Sequence, residues 1–165
     1  MKLDPAQRGR DVAALFLEHS PRLLADLAES KLGQPATAPE GAAREWEVFA
    51  LYACVRGLVA GGGFNRETAA AIDSLHEVVT ERWAATLAPG ESLDDRRALV
   101  AARYQEYGAI GQAGGKSGAA TVTLRLGEAA ARHMTGADPT PELSELVGTL
   151  HESLAEVVAA RVRGS

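Results

Sequence analysis

Arginine and tyrosine form the densest chemical constellation in this chain. Phe49, Tyr52, Arg56 and Val59 recur at helical spacing, and so do Val100, Arg103, Tyr104 and Tyr107. If the two faces meet, guanidinium groups and phenols converge in apolar surroundings. Arg56 or Arg103 would then grip a carboxylate or phosphate with both arms of its fork, while Tyr104 and Tyr107 flank the rest of a small anionic ligand. The competing reading is an internal ion pair, because an unpaired buried charge is strongly destabilising. Glu45, Glu47 and Glu106 are the carboxylates placed to answer such an arginine. No nucleophile with an adjacent base accompanies these residues. Cys54 lies mid-helix in the most apolar segment, where an inert buried thiol is expected.

Asp73, His76 and Glu77 supply a second constellation on neighbouring helical positions, and Asp73, Glu77 and Glu81 form a like-charge row at i, i+4 and i+8. Each such pair costs about 0.2–0.5 kcal/mol unless a cation answers it. An arginine from another helix is one answer, and a divalent metal ion held by Asp73, His76 and Glu77 is the other. The four histidines, His19, His76, His133 and His151, each fall on the apolar stripe of a different helix, as in a metal or haem bundle. Their levels oppose that reading. In an antiparallel hairpin of the last two helices, His133 and His151 differ by ~12 Å along the axis at ~1.5 Å per residue, whereas ligands of one ion lie within ~2.5 Å of it. Paired Glu-x-x-His motifs are also missing. No cofactor is expected.

The stretch "IGQAGGKSG" contains Gly-Lys-Ser, the end of a phosphate-binding loop. That loop needs a glycine where Ile110 stands, and it follows a β-strand. Here a helix runs into the glycines, so the spacing predicts a helix end, a flexible turn and Ser117 as the next N-cap, with Lys116 and Ser117 offering at most a small anion site.

These residues must be positioned by helices, since apolar positions recur at helical spacing between glycine and proline signals and alternating strand patterns are nearly absent. The pattern predicts an all-α, single-domain bundle of about six helices over residues 1–165. The first covers about residues 5 to 32, and Pro21 is expected either to kink it or to split it in two. The segment "GQPATAPEGA" reads as a loop. A helix over about 41–60 is apolar on nearly every side and is expected at the centre. It ends at Gly61-Gly62-Gly63. Asn65 caps the next helix, to about Leu87, and Ser92 caps a fourth, to about Ala113. A fifth spans about 117 to 135. The last starts at Thr140 and Pro141, and its acidic start and basic end complement the helix dipole.

Composition narrows the function. The chain has 165 residues, one of them cysteine, and a formal net charge of −5. Its arginines are scattered, and Arg96-Arg97 follows directly on Asp94-Asp95. Without a basic stripe, nucleic-acid binding is not expected. No apolar run approaches the ~20 residues of a membrane span. A lone thiol and no apolar leader segment suit the cytoplasm. The first reading is a non-enzymatic helical domain that binds protein, most simply itself as a homo-oligomer. A binder or enzyme acting on a small anionic ligand through the Arg/Tyr region comes second. A metal or haem bundle comes third.

Overall fold

In a computed structural model, described for residues 3–114 and 119–165, the chain is all α. Asp4 caps α1 (Pro5–Glu29) by accepting from the Gln7 N–H at 2.9 Å. α1 is continuous through Pro21, which is exposed to solvent. The indole N–H of Trp46 donates to the neighbouring Ser20 carbonyl at 2.9 Å, tying the proline turn to the next long helix. Of the two expectations at Pro21, the split into two helices does not occur, and a tertiary hydrogen bond accompanies the proline turn. A one-turn α2 (Gln34–Thr37) lies inside the segment read as loop, so the described residues hold seven helices rather than about six.

α3 (Ala42–Gly62) starts at Gly41, whose φ of 86° is left-handed, and ends at Gly63, with φ 83°. Its buried residues include Trp46, Phe49, Leu51, Cys54 and Leu58. It touches each of the other six helices. α4 (Arg66–Ala85) begins at Asn65, whose side chain accepts from the Thr68 N–H. α5 (Leu93–Gly114) follows Ser92, whose hydroxyl accepts from the Asp95 N–H. α6 (Ala119–Thr135) and α7 (Pro141–Arg163) complete the chain, and the Thr140 hydroxyl accepts from the Leu143 N–H. Ile110 to Gly114 form the last turn of α5. The turn and the Ser117 cap expected after it, with the Lys116 and Ser117 anion site, lie outside the described residues.

Small residues set the spacing of two layers. In one, α1 packs along α4, and a Cβ at Gly9 would run into the Ala71 carbonyl. In the other, α7 lies between α3 and α6. A Cβ at Gly57 would come within 2.6 Å of the Ala155 carbonyl oxygen, one at Gly148 within 2.6 Å of the Thr123 carbonyl oxygen, and one at Gly127 would strike the Ser144 carbonyl. Backbone at these distances excludes any side chain, so glycine is required there for steric reasons.

Candidate functional site

The aromatic faces of α3 and α5 meet. Ring centroids of Tyr52 and Tyr104 are 5.1 Å apart, those of Phe49 and Tyr107 5.1 Å, and those of Tyr52 and Tyr107 5.5 Å, all tilted. The imidazole of His151, from α7, stacks on Phe49 at 4.0 Å. These are spacings at which aromatic pairs attract beyond their area burial. Tyr107 and His151 are wholly buried. Neither the Tyr107 hydroxyl nor either ring nitrogen of His151 has a hydrogen bond of ordinary geometry among the described residues.

Both arginines at the margin of this layer are engaged. Arg103 clasps Glu45 with its fork, Nε to Oε2 at 2.8 Å and Nη2 to Oε1 at 2.7 Å. Arg56 donates from Nη1 to Glu152 Oε2 of α7 at 2.9 Å. Glu47 instead receives Arg96, and Glu106 meets His133, Nε2 to Oε2, at 2.6 Å. Arg56 also borders an open cleft of about 220 Å³, shared with Glu152, Glu156 and Arg163.

Burial sets the protonation chemistry. It pushes the Tyr107 phenol up, helped by the Glu45 charge and opposed by Arg103. It raises Tyr104 well above an ordinary phenol, with the neighbouring Cys54 and Tyr52 adding to the shift. It raises Tyr52 against the pull of Arg56, and it raises the Cys54 thiol. His151 is held well below an ordinary imidazole, first by burial and then by the positive charge of Arg56. The Phe49 backbone pulls the other way. The hydrogen bond from Arg103 to Glu45 holds that guanidinium above its usual range. Near neutral pH the layer therefore contains neutral phenols, a neutral imidazole and a neutral thiol.

His76 links α4 to α5. Its Nδ1 lies 2.9 Å from the Ile72 carbonyl, which can only accept, so Nδ1 carries the proton in the neutral ring. Nε2 then accepts from the Tyr104 hydroxyl at 2.8 Å. Burial lowers the His76 pKa, opposed by the Ile72 bond and the Asp73 charge, in keeping with that neutral tautomer. Asp73 and Glu77 are exposed on the same helix. Among the described residues no group of three or more His, Cys, Asp or Glu side chains is gathered to hold a metal ion.

The structure thus brings Arg56, Arg103, Tyr104 and Tyr107 around one aromatic layer, and adds His76 to it through Tyr104. Sequence spacing misses Glu152 and His151, because their partners lie about a hundred positions away in the chain. The available signal is the adjacency of His151 and Glu152, which puts an imidazole against Phe49 and a carboxylate at Arg56 on successive residues of one helix. No protein-family model matches the chain, and no curated protein or solved structure proves similar to it.

Proposed function

We propose that this chain is a single helical domain that works by binding protein, most simply a second copy of itself, and not by catalysis. The observation that carries the reading is Phe64. This phenylalanine, in the turn between α3 and α4, is 95% exposed. Fully burying such a ring is worth roughly 1.5–3 kcal/mol, which an interface can recover and the free chain cannot. Among the described residues, the groups that could serve another function are already engaged. The phenols and the thiol are held neutral, and both arginines of the aromatic layer are already paired. In this reading α3 is the central helix of the bundle. The single buried thiol suits a reducing cytoplasm, and no helix among the described residues is long and apolar enough to cross a membrane.

Sedimentation velocity from about 1 to 100 µM tests the proposal, a range that spans ordinary homodimer affinities. The expected result is a concentration-dependent rise to at least two chains per particle. Phe64→Ser should abolish the rise without lowering the thermal midpoint. A monomer over the whole range, or unchanged association of Phe64→Ser, overturns it.

A further inference from the structure

Phe64 is exposed but held firmly in place. Asn65 clamps its turn on both sides: Nδ2 donates to the Gly62 carbonyl at 2.7 Å, and Oδ1 accepts from the Thr68 N–H at 2.9 Å. Gly63, at φ 83°, turns the chain, and its N–H closes α3 on the Val59 carbonyl at 2.7 Å. Pre-organisation of this kind lowers the ordering cost of docking. Of the exposed large apolar residues among the described ones, Phe64 alone is aromatic. Arg66 and Glu67 follow it at the start of α4, both exposed and neither in an ion pair among the described residues.

A recess of matching character lies at the other end of α3 and α4. Helices α1, α3 and α4 border an open cleft of about 240 Å³, lined in part by Phe16, Leu17, Pro21, Leu24 and Trp83. Apolar cavities of about 150 Å³ already accommodate benzene, so the space suffices for a phenylalanine ring. Larger clefts elsewhere are bordered mainly by charged groups, Glu40, Arg44, Glu91 and Asp95 in one and Glu145, Glu152 and Glu156 in another. Pro21 has no N–H, so the Leu17 carbonyl four residues earlier lacks its α-helical donor. Glu47 also lines the cleft, and burial raises its pKa even against the pull of Arg96. Arg82 borders the cleft too, exposed and without an ion pair among the described residues. The cleft thus offers acceptors to Arg66 and a donor to Glu67, the complement of what flanks Phe64. Glu47 lies near the start of α3 and Phe64 just past its end, ~25 Å apart at ~1.5 Å per residue. The ring cannot reach the cleft of its own chain.

We propose that Phe64 of one copy seats in the cleft between α1, α3 and α4 of another, with Arg66 and Glu67 meeting Glu47 and Arg82 at its mouth. The self-association through Phe64, on which this rests, thereby acquires its receiving surface. Ring and cleft are different patches, so the contact is heterologous. Sedimentation velocity of the full chain and its variants over about 1 to 100 µM tests it. Leu24→Lys puts a charge in the cleft, and Thr86→Trp fills it from an exposed position on its rim. Each should leave a monomer over the whole range, as Phe64→Ser does, with a thermal transition showing that the chain is folded. If Leu24→Lys does not fold, Thr86→Trp carries the test. In an equimolar mixture of Phe64→Ser with a cleft variant, one partner keeps the cleft and the other the ring, so particles of two chains should form and grow no further. Cleft variants that associate like the parent overturn the proposal and leave Phe64 an interface residue. A mixture that stays monomeric also overturns it. A monomeric parent overturns it together with self-association itself.

Discussion

α7 and α5 are nearly equal in length, 23 and 22 residues, and both pack on α3, yet they are attached by opposite means. α7 buries ten residues, among them Leu143, Val147, Leu154, Val158 and Val162, and fits between α3 and α6 where Gly57, Gly127 and Gly148 let backbones touch. α5 buries only Arg96, Tyr107 and Gly114. Its hold on its neighbours is largely polar: Arg96 to Glu47 and Glu91, Arg103 to Glu45, Tyr104 to His76, and Glu106 to His133. Arg96 also lies over the Trp83 ring, 5.0 Å from its centroid. Steric fit governs one helix and directed charge the other, so the two should respond differently to the same perturbation.

The largest effect is expected at the α6–α7 contact. Gly127→Ala drives a Cβ into the Ser144 carbonyl and the Gly148 backbone, which cannot rotate away. Overpacking of this kind should cost about 3 kcal/mol in urea unfolding, even after the gain in helix propensity. A near-neutral result would show that the two helices slide freely. On the α5 side, Glu45→Gln leaves the Arg103 fork without its carboxylate and should cost about 2 kcal/mol. The double replacement Arg103→Met with Glu45→Leu should recover most of that, since two apolar chains of similar volume substitute well for a buried pair. A double-mutant cycle measures the coupling.

Acid distinguishes the helices through their histidines. His151 on the α7 side and His76 on the α5 side both have lowered pKa values, so the unfolded chain takes up protons that the native chain refuses once pH falls below the ordinary value of 6.5. Stability is therefore full above that value and drops as pH falls, by about 1.4 kcal/mol per pH unit for each histidine. Glu47, raised by burial, works in the opposite sense. Its contribution is present below 4.5 and is lost as pH rises through its raised value. Urea unfolding compared at about pH 7.5 and 5.5 isolates the histidine effect, and His151→Leu should remove the larger share of the slope because that ring is fully buried. An unchanged slope would place the proton uptake elsewhere.

The smallest effect has the reverse sign. Gly111, near the end of α5, has nothing among the described residues within 4 Å of the position its Cβ would take, so Gly111→Ala should stabilise the chain by about 0.5–1 kcal/mol. Thermal unfolding measures it. Destabilisation would mean that α5 packs more tightly than its polar attachments suggest.

Much of the helical organisation is legible in the sequence because it is local. Asn65, Ser92 and Thr140 cap the helices that their types and spacing announce, each through a hydrogen bond to the N–H three residues on. Pro21 leaves open whether α1 is one helix or two, since the bond from the Trp46 indole to the preceding Ser20 carbonyl comes from 26 residues away. α2 is a single turn in a proline-bearing segment and leaves no periodicity to read. The aromatic layer is half legible. The faces of α3 and α5 can be drawn from spacing, but the Glu152 that answers Arg56 and the His151 that stacks on Phe49 belong to α7. Arg8, in the polar stretch "AQRGRD", looks like an ordinary solvated arginine until α4 is laid across it.

By itself, then, the sequence determined the helical class, the caps and the apolar stripes, all of which depend on neighbours within a few residues. It could not assign the arginines their partners, nor say that a Cβ is excluded at Gly127 and free at Gly111, since both are helical glycines and their surroundings come from other helices. The tertiary structure decided those, because what a side chain or an absent one is worth depends on the backbone and charge that a distant helix brings against it.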